Sequence, residues 1–389
     1  MPVREKYTII IFTGIIIIFN FKKFKMISLL NLFKLMEEKD ASDIHLQCGS
    51  PPAFRIKGNL VKLEEYGEIT EEELKEEIYK LLKEKEIKIF EERGTVDTSI
   101  GIPKVGRFRV SVFLQRGSIS LVARRILSKI PEFSQLNLPP SILKITEFLN
   151  GLVLVTGPTG CGKSTTLAAL INDINKKRSC HILCIEDPIE YLFKNEKAII
   201  TQREVGIDVP SFKEALKYAV RQDPDVILIG EIRDRESVEF GIQASETGHL
   251  VFGTLHSANA TQTIERLLNF FPPNEHQQLR KILSLHLKAV VSQMLIPSCK
   301  EEIKLVPACE IMFVNSSIAR LIEEGQDEKI QKAIKMGKEE GMQDFEDSLL
   351  ELVNKGLITK ETALKYAENP HSLEMKLRGI FLSEEGIIT

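Results

Sequence analysis

Leu152-Val153-Leu154-Val155-Thr156-Gly157-Pro158-Thr159-Gly160-Cys161-Gly162-Lys163-Ser164-Thr165-Thr166-Leu167-Ala168-Ala169-Leu170 is the stretch that decides how this chain is read. Five mostly β-branched apolar residues make a buried strand, the glycines make a tight turn, and a helical run begins at the lysine. Gly157–Ser164 fits G-x-x-x-x-G-K-[ST], the phosphate loop. In such a turn the backbone N–H groups point inward and cradle phosphates, helped by the positive end of the helix. Lys163 bridges the outer phosphates as a point charge, and the Ser164 hydroxyl is placed to ligate Mg²⁺. The expected ligand is a nucleoside triphosphate.

Around this stretch lie 389 residues, long enough for two or three domains, with a 43% hydrophobic share that supplies real cores. The 52 Lys and Arg nearly balance the 55 Asp and Glu, so nothing in the overall charge draws the chain to nucleic acid. Six cysteines (Cys48, Cys161, Cys180, Cys184, Cys299, Cys309) are scattered, without C-x-x-C pairs or metal-ligand spacing. Reduced thiols in a cytoplasmic protein are the expectation.

Residues 1–25 differ from the rest. Thr8–Phe21 is nearly all Ile and Phe, followed by Lys22, Lys23 and Lys25. The run is shorter than the roughly 20 residues that span a bilayer, and it lacks a small-residue cleavage site. The expectation is an over-extended gene start, with translation beginning at Met26; a membrane anchor or a signal is the alternative.

From Met26 the chain reads as a small α+β domain, residues 26–125. Ile27–Met36 is an amphipathic helix. Short strands follow at Ile44–Gln47, Ala53–Ile56 and Leu60–Leu63. Thr70 and Glu73 form a capping box for a helix whose face carries Leu74, Ile78, Leu81 and Leu82. The Glu and Lys of 64–92 are that helix's solvated face. Strands at Thr95–Ile100, Gly106–Phe113 and Ser118–Arg124 complete the unit. Residues 126–140, with three prolines, read as a linker.

From Ser141 strands alternate with helices: strands at Leu152–Thr156, His181–Ile185, Val226–Gly230 and Leu250–Leu255, helices over 163–175, 211–221, 235–245 and 260–269. That alternation argues an α/β core, residues 141–300, built on a mostly parallel sheet with helices on both faces. Nucleotide then binds at the carboxyl ends of the strands. Beyond about Pro297 strands give way to helices over 316–325, 327–337, 342–355 and 359–367, making 301–389 a helical region.

Acidic residues collect where these strands end. Ile185-Glu186-Asp187-Pro188-Ile189-Glu190 places three carboxylates after one strand, where they can hold Mg²⁺ through water or polarise the attacking water. Asp225–Gly230 delivers Glu231 after the next, a Walker B arrangement with Glu as the acid. His249 and His256 flank the following strand. A histidine near a γ-phosphate donates a hydrogen bond that exists only in the triphosphate state.

These segments together resemble the secretion and type IV pilus ATPases, a RecA-like branch of P-loop motors, and within it the pilus retraction ATPases of the PilT/PilU type. The matching stretches are Gly157–Thr165 (Walker A), Ile185–Glu190 (the Asp box), Arg221–Asp234 (the Walker B region) and Thr247–His256 (the His box). The resemblance implies a PAS-like N-terminal domain joined to a RecA-like ATPase domain with C-terminal helices. It implies a homo-hexamer that binds ATP and Mg²⁺, sits in the cytoplasm at the inner membrane, and works on a membrane platform protein of the pilus, with a second retraction ATPase as a further partner. The implied catalytic set is Glu190 as the water-activating glutamate, Glu231 as the Walker B acid, His249 and His256 as the His-box pair, and Arg109 with Arg124 reaching the γ-phosphate from another domain. Arg107 and Arg125 are alternatives for that pair. The implied phosphate-binding set is Gly157, Pro158, Thr159, Gly160, Cys161, Gly162, Lys163, Ser164 and Thr165, with Ser164 and, partly through water, Glu231 on the metal.

Departures qualify the match. The tetracysteine zinc site of the extension ATPases is absent from the sequence. The helix motif that retraction ATPases carry near the C-terminus reads Ser317-Ile318-Ala319-Arg320-Leu321-Ile322-Glu323-Glu324 here, keeping the apolar spacing but losing the first Arg and the Asn. An accessory subunit whose own hydrolysis is dispensable is therefore a competing reading, as is a related secretion or DNA-transfer ring. No basic arm or aromatic-basic patch supports the DNA reading, so no nucleic-acid partner is expected. No N-K-x-D motif supports a GTPase.

Overall fold

The computed structural model describes residues 3–12, 15–126, 129–379, 381–383 and 386–388, and it divides into two units, Met1–Ser128 and Lys129–Thr389.

In the first unit, β1 (Val3–Phe12) and β2 (Ile15–Lys25) pair antiparallel. The helix α1 (Leu29–Glu38) buries Leu29, Leu32, Phe33 and Met36, the i, i+3, i+4, i+7 stripe of an amphipathic helix. There follow β3 (Ala41–Gln47), β4 (Ala53–Ile56), β5 (Asn59–Lys62), α2 (Glu71–Leu81), α3 (Glu84–Arg93), β6 (Thr95–Ile102), β7 (Gly106–Gln115) and β8 (Ser118–Ile126). The six strands β5-β4-β3-β8-β7-β6 form one antiparallel sheet. Phe54, Phe108, Val110, Val112 and Leu121 point from it into a core shared with Phe33, Leu74, Ile78 and Phe90 of the helices. The capping box at Thr70 and Glu73 forms. One helix was expected across 64–92, but the chain breaks at Leu82, which is extended and buried. A new helix then starts where the Glu86 carboxylate accepts the Lys83 N–H at 2.8 Å.

The second unit begins with the proline-rich stretch expected to be a linker. Leu138 is buried there, with Phe133 and Leu136 packed beside it, so the segment contributes to the core. Then come β9 (Gly151–Thr156), α4 (Lys163–Lys177), β10 (His181–Glu186), β11 (Ile199–Glu204), α5 (Phe212–Ala219), β12 (Val226–Ile229), α6 (Arg235–Glu246), β13 (Leu250–Leu255), α7 (Ala260–Leu268), α8 (His276–His286), β14 (Leu287–Pro297) and β15 (Leu305–Phe313). The helices α9 (Ser316–Glu324), α10 (Ile330–Met336), α11 (Phe345–Asn354), α12 (Lys360–Tyr366) and α13 (Pro370–Leu377) complete it.

The sheet runs β11-β10-β12-β13-β9-β14-β15, parallel except for the last pair. Every residue of β9, β12 and β13 is buried, as expected for strands covered on both faces. The strands do not end near Pro297. β15 is nine residues long, antiparallel to β14, and its buried Val306 and Ala308 pack on Leu349, Leu352 and Ala363 of the C-terminal helices. Among the described residues no helix is long and apolar enough to cross a membrane.

Candidate active site

The register of the parallel strands brings their ends level. Ile185 pairs with Ile229, Ile229 with Gly253, and Leu255 with Thr156, so the residues that follow β9, β10, β12 and β13 share one edge of the sheet. A cleft of about 760 Å³ opens there.

Its floor is the loop between β9 and α4. Gly157, Gly160 and Gly162 take φ of +140°, +78° and +91°. At Gly157 a Cβ would lie 2.2 Å from the Gln293 carbonyl oxygen, so no other residue fits. Gln293, buried on β14, secures the loop from behind. Its Nε2 donates to the Cys161 carbonyl and its Oε1 accepts the Thr166 hydroxyl at 2.8 Å. Beside it the Thr156 hydroxyl donates to Ser292 at 2.9 Å. The Lys163 ammonium donates to the Gly157 and Pro158 carbonyls at 2.8 and 3.0 Å, which holds it over the turn. α4 begins without a side-chain cap, so its first-turn N–H groups are open to an anion.

The walls are acidic. Glu231 follows β12; its carboxylate meets Arg233 Nη2 at 2.7 Å and His256 Nε2 at 3.3 Å. Burial pushes its pKa up, but the hydrogen bond and charge of Arg233, with His256 and Lys163, outweigh that and hold it below the ordinary value. Glu231 is therefore ionised. Arg233 reaches on to Asp187 at 3.6 Å. Glu186, at the end of β10, is the opposite case: burial raises it to about 7 despite hydrogen bonds from Gln202 and the Glu190 backbone N–H. Glu190 itself is exposed and lines the cleft. The Tyr191 hydroxyl bonds the Thr165 hydroxyl at 2.9 Å, joining this wall to α4.

Thr159, Gly160, Gly162, Lys163, Ser164, Thr165, Glu190, Glu231 and His256 all line the cleft. Gly157, Pro158 and Cys161 do not; they supply backbone and packing to the loop. His249 is not brought to the cleft. It precedes β13 while His256 follows it, and its Nδ1 lies 2.9 Å from the Ala244 carbonyl and 3.1 Å from the Thr247 hydroxyl. The strand that separates the two histidines in sequence separates them in space.

Arg109 and Arg124 belong to the first unit, where they stand directly opposite one another on β7 and β8. Both are exposed, and Arg124 Nε donates to the buried Asp43 at 2.7 Å. Like charges directly opposite across strands are destabilising, and the Asp43 carboxylate offsets this on the Arg124 side. Arg125, one of the alternatives, is bound to Asp40 instead.

Sequence reasoning missed Gln202, Arg233 and Gln293, and it read Glu186 only as one of three carboxylates after its strand. Glu186 and Arg233 fell within the segments singled out. Gln202 lies on β11, a strand the pattern did not show, and Gln293 acts across a long sequence gap.

Residues 24–368 match the family model described as Type II/IV secretion system protein. The chain is 39% identical over 347 residues to the type IV pilus ATPase PilU of Pseudomonas aeruginosa, covering 89% of this chain and 90% of that protein. It is 40% identical over 341 residues to the pilus retraction ATPase PilT of the same organism, covering 88% and 98%. A crystal structure of the pilus retraction motor PilT with bound ADP superposes with a TM-score of 0.83 at 44% identity, over 90% of this chain and 99% of that one. The chain belongs to the type II/IV secretion system protein family, within its branch of pilus retraction ATPases.

Proposed function

We propose that this chain is the ATP-hydrolysing subunit of a homo-hexameric motor that powers type IV pilus retraction from the cytoplasmic side of the inner membrane, acting on a pilus platform protein. We read the first unit as PAS-like and the second as RecA-like, with residues 26–125 as the N-terminal domain, 141–300 together with β15 as the ATPase core, and the helices that follow β15 as the C-terminal region. The carrying observation is the single cleft in which Lys163, Ser164, Glu190, Glu231 and His256 face one another.

Phosphates fit the loop's open N–H groups and Lys163, which exchanges the Gly157 and Pro158 carbonyls for phosphate oxygens. Glu190, exposed in the wall and bonded through its backbone to Glu186, takes the place of a base that orients water. His256, with its Nε2 3.3 Å from the ionised Glu231, is positioned to report the presence of a γ-phosphate. We assign Arg109 and Arg124 to the neighbouring subunit's site, where two guanidinium groups neutralise charge spread over the equatorial oxygens. His249 has its hydrogen bonds at the far end of β13, and we give it a packing role.

Mg²⁺ is implied by the family, and the donors suit it. Ser164 would hold the ion directly and Glu231 through water, leaving its other positions to phosphate oxygens and water, the sparse protein shell this ion accepts. Among the described residues no cluster of three or more His, Cys, Asp or Glu offers an all-protein cage. When bound, the ion neutralises phosphate charge.

Glu190→Gln tests the reading. ATP binding should persist while turnover falls at least ~10²-fold; near-normal turnover would refute Glu190 as the base.

A further inference from the structure

Residues 187–198, between β10 and β11, carry Glu190 but belong to neither strand. A segment without a ladder must find partners for its backbone elsewhere. Asn175 holds the far end, with its side chain on Lys194 and Glu196, and two further side chains stand at the Glu190 end. Gln202, on β11, spends its whole amide on the segment and on Glu186. Its Nε2 donates to the Tyr191 carbonyl at 2.8 Å and to Glu186 Oε1 at 3.1 Å, and its Oε1 accepts the Phe193 N–H at 3.1 Å. Glu186 in turn lies against the Glu190 backbone N–H, which favours its ionised form against burial. The backbone is thus gripped at Tyr191 and Phe193, directly after Glu190, while the Glu190 side chain is left exposed in the cleft.

We propose that Glu186 and Gln202 are positioning residues for hydrolysis, a two-residue clamp that fixes where the Glu190 carboxylate stands relative to the phosphate loop. The inference rests on reading Glu190 as the water-orienting base. All of the Gln202 side-chain hydrogen bonds go to Glu186 and to the segment that carries Glu190, so we assign the clamp's effect on the chemical step to Glu190. The surrounding packing is stiff enough to transmit it: a Cβ on Gly230 would lie 3.1 Å from Glu186 Cα, which seats the start of the segment against the strand that delivers Glu231. The neighbouring Tyr191 hydroxyl, bonded to Thr165, ties the same segment to the first turn of α4.

Displacing a catalytic group by about 1 Å costs as much as 10²-fold, and groups that act as one unit give non-additive losses. The test is a double-mutant cycle on the full chain, with single-turnover ATP hydrolysis and ATP affinity measured for Gln202→Leu, Glu190→Gln and the double variant. Gln202→Leu should lower the hydrolysis rate about 10- to 100-fold with ATP affinity within about threefold of wild type, and should add nothing to Glu190→Gln. Glu186→Gln, which keeps the shape, repeats the cycle from the other half of the clamp, so misfolding of one variant leaves the other decisive. Additive losses would show a merely structural role and overturn the proposal. Full activity in both clamp variants would overturn it while leaving Glu190 as the base. Near-normal hydrolysis in Glu190→Gln alone would remove the base assignment and the clamp with it.

Discussion

At Gly157 the demand on the sequence is steric. The residue sits at φ +140°, and a Cβ there would lie 2.2 Å from the Gln293 carbonyl oxygen and 2.7 Å from Cys161 Sγ. Gly157→Ala should strain the loop by roughly 1–3 kcal/mol and weaken ATP binding about tenfold or more. Isothermal titration would show it, and unchanged affinity would mean that the loop relaxes freely. The phosphate loop was legible in the sequence because its spacing is its chemistry: glycines, lysine and hydroxyl lie within Gly157–Ser164. The support from Gln293 was not legible, since it depends on which strand comes to lie beside β9. His249 shows the converse. Its nearness to His256 in sequence suggested a pair, yet a strand running between them puts them at opposite ends.

Elements position what residues carry out. β9, β10, β12 and β13 were readable as apolar runs because both their faces are covered. β11 escaped because it is an edge strand of half-exposed residues, and β15 because it follows Pro297, where the strand-helix alternation had lapsed, and runs antiparallel to β14. β15 also anchors α7, which begins soon after His256. The buried Glu310 on β15 accepts the Ala260 N–H at 2.6 Å and Gln331 Nε2 at 2.8 Å. Burial raises its pKa to about 7. Above about pH 4.5 the unfolded chain releases this proton while the folded chain keeps it. The Glu310 contribution to stability is therefore full below that pH and is lost as pH rises through about 7. Chemical denaturation of wild type and Glu310→Gln should give stabilities that converge at acid pH, with the variant gaining up to about 3 kcal/mol relative to wild type by pH 8. A constant difference across that range would contradict the assignment.

For the molecule as a whole, the α/β fold follows from the order of motifs, and family membership rests on nearly the full chain. Half of the proposed site lies in the second unit, around Lys163, Glu190 and Glu231. The other half, Arg109 opposite Arg124, lies in the first, with Arg124 held by Asp43. In the ring we propose, heterologous contacts would unite the two halves between neighbours. Mixing Glu190→Gln chains with Arg109→Ala/Arg124→Ala chains tests this most directly. Each population alone should hydrolyse ATP poorly. In equimolar mixed rings about a quarter of the interfaces pair an intact base with intact arginines, so activity should recover well above either parent. Mixtures no more active than the mean of the two parents would contradict a site shared between subunits.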